Sequence, residues 1–243
     1  MSHDSQPRLG RLFGVGVGPG DPELLTIKAA RILREVPVVV VPRKTSRDES
    51  YAYSIVANIV DHSRQEVLPL VFPMKKDLGE LRLHWRQACD AIYLRLLEGK
   101  DCAFLTEGDP LLYGTFIYVY HMLRDQRPQI DVEIVPGVSS INAAAARAAL
   151  PLVSGDERLA VLPASYEGGK LREALQKFDT VVLVKLRDVF DEVLNLLEEM
   201  QLVNNAVYVK KCTATDEEIV RDIRTLRGQR LDYLSLLIVR KPK

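Results

Sequence analysis

Leu12-Phe13-Gly14-Val15-Gly16-Val17-Gly18-Pro19-Gly20-Asp21-Pro22 is the stretch from which the fold is read. A short apolar run ends in a glycine-rich turn, and the turn opens into a segment, Pro22 to about Arg34, with apolar residues at helical spacing. Strand, glycine turn and helix in that order begin a βα unit. The turn departs from both phosphate-binding patterns that occupy such a position. A GxGxxG frame begun at Gly14 meets Pro19, one begun at Gly16 meets Asp21, and no Gly-Lys-Ser/Thr follows. Asp21 would repel a phosphate at the helix start, whereas as an N-cap ahead of Pro22 it satisfies that start. The expectation is a backbone that comes close to a ligand lacking phosphate, with a merely tight βα turn as the plainer alternative.

Outward from this unit the alternation continues. Strands are expected near Val38 to Val41, Glu66 to Leu70, Cys102 to Thr106 and Val132 to Val135, then near Leu159 to Leu162, Thr180 to Val184, Val207 to Val209 and Leu234 to Val239. Helices are expected over Ser50 to Val60, Leu78 to Glu98 with Gly99 as C-cap, a segment ending near Arg124, Ile141 to Ala149, Gly169 to Lys177 and Val189 to Met200. Glu217 to Ile223 reads as strand or helix. Pro136-Gly137 interrupts the pattern and divides an N-terminal α/β domain, 1–136, from a C-terminal one, 137–243. Apolar strands separated by helices predict mostly parallel sheets with both faces covered.

Two further turns could carry chemistry. Thr106-Glu107-Gly108-Asp109-Pro110-Leu111-Leu112-Tyr113-Gly114-Thr115 follows a buried strand and repeats the Gly-Asp-Pro device of the first turn. Ligands of open α/β sheets bind beyond the carboxyl ends of strands, so two such turns could line one crevice. Asp109 as a simple cap is the alternative. Val135-Pro136-Gly137-Val138-Ser139-Ser140 places two hydroxyls ahead of an alanine-rich helix, whose small side chains permit close approach or merely favour the helix. Arg43, Lys44 and Arg47 follow the second strand and could meet substrate carboxylates, or belong to a solvated loop. His3, His62, His84 and His121 form no HxxxH pair, no Gly-x-Ser-x-Gly elbow occurs, and no metal site is expected.

Composition bounds the partners. With 33 Lys plus Arg against 33 Asp plus Glu among 243 residues, no overall field draws the chain to nucleic acid or an anionic membrane. Cys89, Cys102 and Cys212 are odd in number and widely spaced, which fits a reducing cytoplasm better than a disulfide framework. The longest apolar run falls far short of the roughly 20 residues that span a bilayer, so neither membrane anchoring nor secretion is expected.

GVGVGPGDPELLTIKAA from Gly14, LTEGDPLLYGTF, VPGVSSINAAAA and VVLVKLRD, taken in order, resemble the tetrapyrrole (corrin/porphyrin) methylase family over nearly the whole chain. Within it, the pairing of GDPLLYGTF with VKLRD and DYLSLLIV is most similar to the C-20 methyltransferases of cobalamin synthesis, which act on precorrin-2 or cobalt-factor II. Uroporphyrinogen-III methylases are the alternative, from whose GGDPFIFGRG-like segment Tyr113-Gly114-Thr115 departs. Relatives that act on protein or RNA are a second, and a nucleotide-binding regulatory module is a third. The resemblance implies two α/β domains with S-adenosylmethionine in the cleft between them, and a homodimer. By motif position it implies cofactor contacts at Pro19, Gly108, Asp109, Leu112, Ser139, Ser140, Lys185, Cys212, Ala214 and Ser235. Arg43, Lys44, Arg47 and Tyr113 are expected near the tetrapyrrole. Asp109 and Tyr113 are guesses for a general base, and no catalytic residue is assigned.

Overall fold

The protein is described as a computed structural model covering residues 8–73, 77–165 and 168–242. Its contacts divide the chain into two units, one ending at Ser139 and the next beginning at Ser140. The sequence reading placed this boundary three residues earlier, after 136.

The first unit is built on β1 (Leu12–Gly16), β2 (Val38–Arg43), β3 (Glu66–Val71), β4 (Cys102–Thr106) and β5 (Val132–Val135). They form a sheet of order β3-β2-β4-β1-β5 in which every pairing is parallel. Alternate residues of each strand serve opposite faces, as the pleat requires. Val15, Val39, Val41, Ala103 and Leu105 pack against α1 (Ile27–Glu35) and α2 (Tyr51–Val56). Leu12, Val38, Val40, Cys102 and Phe104 pack against α3 (Leu78–Leu97) and α4 (Phe116–Gln126). Burial on both faces explains why β2 and β4 read as continuous apolar runs. Gly14 contributes by omission: a Cβ there would lie 2.3 Å from the Phe116 ring, so α4 seats its first aromatic where β1 carries no side chain.

The first helix differs from expectation. Pro22–Leu24 is a single 3-10 turn, with the Asp21 carboxylate accepting from Glu23 N–H at 2.8 Å. Leu25 is then extended and turns toward the core, and α1 begins only at Ile27, capped by Thr26 Oγ1 on the Ala29 amide at 3.1 Å. Two capping residues five positions apart make two starts, where the apolar periodicity suggested one. Helix α2 is likewise shorter than 50–60: Ser50 is its N-cap and the helix ends at Val56. Gly99 lies one residue past the Glu98 C-cap of α3, at φ +75°.

The second unit contains α5 (Ser140–Arg147), β6 (Leu159–Pro163), α6 (Gly168–Lys177), β7 (Thr180–Val184), α7 (Phe190–Glu199), β8 (Ala206–Lys210), β9 (Glu218–Val220) and β10 (Ser235–Arg240). Its sheet has the order β6-β7-β10-β8-β9. Only β6 and β7 run parallel; β10 opposes both neighbours, and β9 opposes β8. Over the two sheets parallel pairings predominate, and the antiparallel ones all lie here. Residues 211–217 are too short for the crossover of a dozen or more residues that a parallel β8–β9 pair needs, so those strands form a hairpin. The ambiguous segment resolves into both alternatives, strand β9 followed by a 3-10 turn at Ile223–Leu226. A core around Leu183, Phe190, Leu194, Tyr208 and Leu237 supports this sheet.

Candidate functional site

In the first sheet the carboxyl ends of β1 and β4 are neighbours, in the register Gly16 to Thr106. The chain leaves β1 for β2 through α1 on one face and leaves β4 for β5 through α4 on the other. Adjacent strands with diverging connections open the crevice in which such sheets bind ligands. The loops at this point are stitched together by backbone. Val17 N–H donates to Thr106 O at 2.9 Å, and Gly18 and Gly108 exchange hydrogen bonds at 3.4 and 2.8 Å as an isolated antiparallel bridge.

The third loop closes the cradle. A Cβ on Gly16 would stand 2.5 Å from Gly137 N and 2.6 Å from Gly108 O, and one on Gly137 only 2.1 Å from Gly108 O. Three main chains thus meet where no side chain fits. Asp109 fastens them: Oδ2 accepts from Gly137 N–H at 3.1 Å and Oδ1 from Leu111 N–H at 2.9 Å. The helix α4 starts seven residues later, at Phe116, and its N-cap Thr115 makes no side-chain capping bond. Asp109 is therefore a loop-joining residue rather than the cap of that helix.

The other expected positions of the first unit lie at or beyond the carboxyl ends of its parallel strands. Pro19 is buried, and its carbonyl accepts from Tyr51 OH at 3.0 Å. Leu112 and Tyr113 are exposed, 40% and 47%, and Tyr113 holds φ +56°, a costly conformation for an aromatic residue and one that clusters at functional loops. Ser139 is half-buried. Arg43 ends β2 with its Nε buried and without a hydrogen-bond partner. Lys44 and Arg47 are exposed beyond it, with the Arg47 amide donating to Thr45 Oγ1.

Sequence reasoning passed over two groups here. Thr106 is 6% exposed, and its Oγ1 has no hydrogen-bond partner although a hydroxyl in that position normally finds one. Glu107, the next residue, is open by surface area, yet its carboxyl is pushed up to about 7. Desolvation is the larger cause; the Lys44 charge pulls the other way. Both residues directly precede the Gly108-Asp109-Pro110 turn in the sequence.

In the second unit, β7 and β8 both oppose β10, so the carboxyl ends of the first two and the start of β10 share one edge. That edge gathers the expected positions there. Lys185 directly follows β7 at φ +61° and is exposed, while Lys211 and Thr213, after β8, hold φ +44° and +66°. Cys212 is buried, its thiol pushed up to about 12 by desolvation. Ala214 N–H donates to Lys211 O at 2.9 Å, and Ser235, paired in register with Lys210, donates its Oγ to Asp232 O at 2.7 Å. Ser140 is the first residue of α5. Three non-glycine residues at one end of this sheet thus hold positive φ, at a cost of roughly 1–3 kcal/mol each.

Histidine chemistry is not concentrated anywhere in the described residues. His62 Nε2 lies 2.7 Å from Tyr53 OH, and His3 lies outside the described residues. No group of three or more His, Cys, Asp or Glu placed to hold a metal occurs among the described residues, and no helix there is long and apolar enough to cross a membrane.

Residues 11–226 match the model of a family described as Tetrapyrrole (Corrin/Porphyrin) Methylases. A probable cobalt-precorrin-2 C(20)-methyltransferase of Methanocaldococcus jannaschii is 37% identical, covering 96% of this chain and 97% of its own. The cobalt-precorrin-2 C(20)-methyltransferase of Salmonella typhimurium is 33% identical over 96% and 97%. A precorrin-2 C(20)-methyltransferase of a Sinorhizobium species is 30% identical over 95% of each. Among solved structures, the cobalt precorrin-4 methyltransferase CbiF superposes with TM-score 0.73 at 26% identity, over 96% of both chains. The uroporphyrin-III C-methyltransferase of Thermus thermophilus, complexed with S-adenosylhomocysteine, shares the fold with TM-score 0.66 at 24% identity, over 96% of this chain and 98% of that one.

Proposed function

Because this chain belongs to the tetrapyrrole (corrin/porphyrin) methylase family, we propose that it methylates C-20 of precorrin-2, in its cobalt form before the metal-free one, within cobalamin biosynthesis. The observation that carries this reading is the agreement of three near-full-length relatives on C-20, the two more similar of them on the cobalt substrate.

Tetrapyrrole methylases use S-adenosylmethionine, and the first unit suits such a donor. Gly16, Gly108 and Gly137 leave a cradle of bare backbone, and Thr106 Oγ1 is a buried hydroxyl lacking a partner. When bound, the donor supplies a methyl already made electrophilic by its sulfonium, so the protein's work is alignment. Pro19, Gly108, Asp109, Leu112 and Ser139 are proposed as donor contacts, with Asp109 also holding their loop in shape. Ser140, Lys185, Cys212, Ala214 and Ser235 are proposed, by motif position, as the second unit's donor contacts. Arg43, Lys44 and Arg47 would hold carboxylates of the tetrapyrrole, because cationic side chains must be concentrated locally in a chain of zero formal charge. The exposed ring of Tyr113 would lie against the macrocycle.

The chain is further proposed to act in the cytoplasm as a homodimer. Free, buried and unpaired Cys89, Cys102 and Cys212 fit the first, and exposed Leu83, Leu94 and Leu97 of α3 with Tyr118 of α4 fit the second. Labelled methyl donor offered with cobalt-precorrin-2, precorrin-2 and uroporphyrinogen III tests the substrate assignment directly.

A further inference from the structure

Replacing hydrogen by methyl on a meso carbon leaves one proton to be removed. The carboxylates near the cradle differ in their freedom to take it. Asp109 has both oxygens committed to the Gly137 and Leu111 amides. Asp21 accepts from the Glu23 amide. Glu107 has no hydrogen-bond partner among the described residues and stands exposed at the carboxyl end of β4, between the buried Thr106 and the Gly108 that is bridged to Gly18. Main-chain bonds on both sides thus fix where its side chain begins, while the carboxylate itself is uncommitted.

We propose that Glu107 is the base that accepts the C-20 proton, on the reading that the chain methylates that carbon. The C-20 to methyl bond forms as the sulfur to methyl bond breaks, releasing neutral S-adenosylhomocysteine. The C-20 to hydrogen bond then breaks, its electron pair returns to the macrocycle, and its proton passes to the Glu107 carboxylate and on to water.

Electrostatics support the assignment. A carboxyl raised to about 7 is a far better proton acceptor near neutral pH than an ordinary glutamate, yet remains partly ionised. Among the described residues, the charged groups on the neighbouring elements include Arg43 at the end of β2, Lys44 just after it, Asp109 in the same loop and Asp21 after β1. Of these, Lys44 is the one whose charge bears on Glu107, and it favours the ionised form.

The test is Glu107→Gln beside Glu107→Asp, with cobalt-precorrin-2, its C-20 deuterated form and precorrin-2, and with S-adenosylhomocysteine melts to establish fold and donor binding. The expectation is a Glu107→Gln protein with wild-type melts and KM, kcat lowered about 10²-fold or more, and a primary isotope effect from C-20 deuterium. Wild-type kcat should fall about tenfold per pH unit below 7, a limb the Gln variant lacks and the Asp variant regains with partial activity. Unchanged kcat and pH profile in Glu107→Gln, or a change confined to KM, would overturn the proposal alone. A stable wild-type chain that methylates neither tetrapyrrole would instead overturn the functional reading on which it rests.

Discussion

At the scale of single residues, the site depends on what the sequence omits as much as on what it supplies. Gly16 and Gly137 were legible as turn residues, but nothing in their spacing said that they meet each other and Gly108. That is long-range information, held in the register of β1 against β4 and β5. Asp109 was legible as special for a partly different reason. It was expected to touch the cofactor, and the structure shows its oxygens joining two loops. Asp109→Asn should keep the Leu111 bond and set an amide NH2 against the Gly137 N–H. The expected outcome is a loss of about 1–3 kcal/mol of stability, with weakened S-adenosylhomocysteine affinity, read by denaturant melts and calorimetry. Normal stability together with normal affinity would show that the loops hold their form without the carboxylate. Glu107 and Thr106 were missed because a free carboxyl and a partnerless hydroxyl are properties of surroundings, not of a motif.

At the scale of elements, the strands were read closely and the helices less so. Fully buried parallel strands such as β2 and β4 announce themselves as β-branched or apolar runs of fixed length. Helix starts do not, since Asp21 and Thr26 are both good caps and only packing of Leu25 against the core separates one helix from a turn plus a helix. Strand direction in the second sheet was equally hidden, because composition does not say where β10 inserts. The segment following β2 carries the prediction that belongs here. Replacing Arg43, Lys44 and Arg47 together by Gln should raise KM for cobalt-precorrin-2 at least tenfold, about 1.4 kcal/mol, and flatten its dependence on salt. S-adenosylhomocysteine affinity should hardly change. Unaltered substrate kinetics would return these side chains to a solvated loop.

At the scale of the whole molecule, both units bury free thiols. Cys89, Cys102 and Cys212 are each pushed up to about 12, chiefly by desolvation, against an ordinary 9.0. A folded-state value raised above the unfolded one contributes stability that is complete below pH 9 and is lost as pH rises toward 12. Melting temperature should therefore fall on the alkaline side of 9, and thiol reagents at pH 8 should label the native protein slowly and the unfolded protein at three sites. Rapid labelling of native protein would contradict the burial that both cores display. The central claim, methyl transfer to C-20, is tested most directly by carbon-13 NMR of the product made from cobalt-precorrin-2 and a donor labelled at its methyl carbon. The account predicts a single new methyl resonance with its label bonded to C-20 and one S-adenosylhomocysteine released per turnover. Label at any other carbon, or label transferred to uroporphyrinogen III in preference, would contradict it.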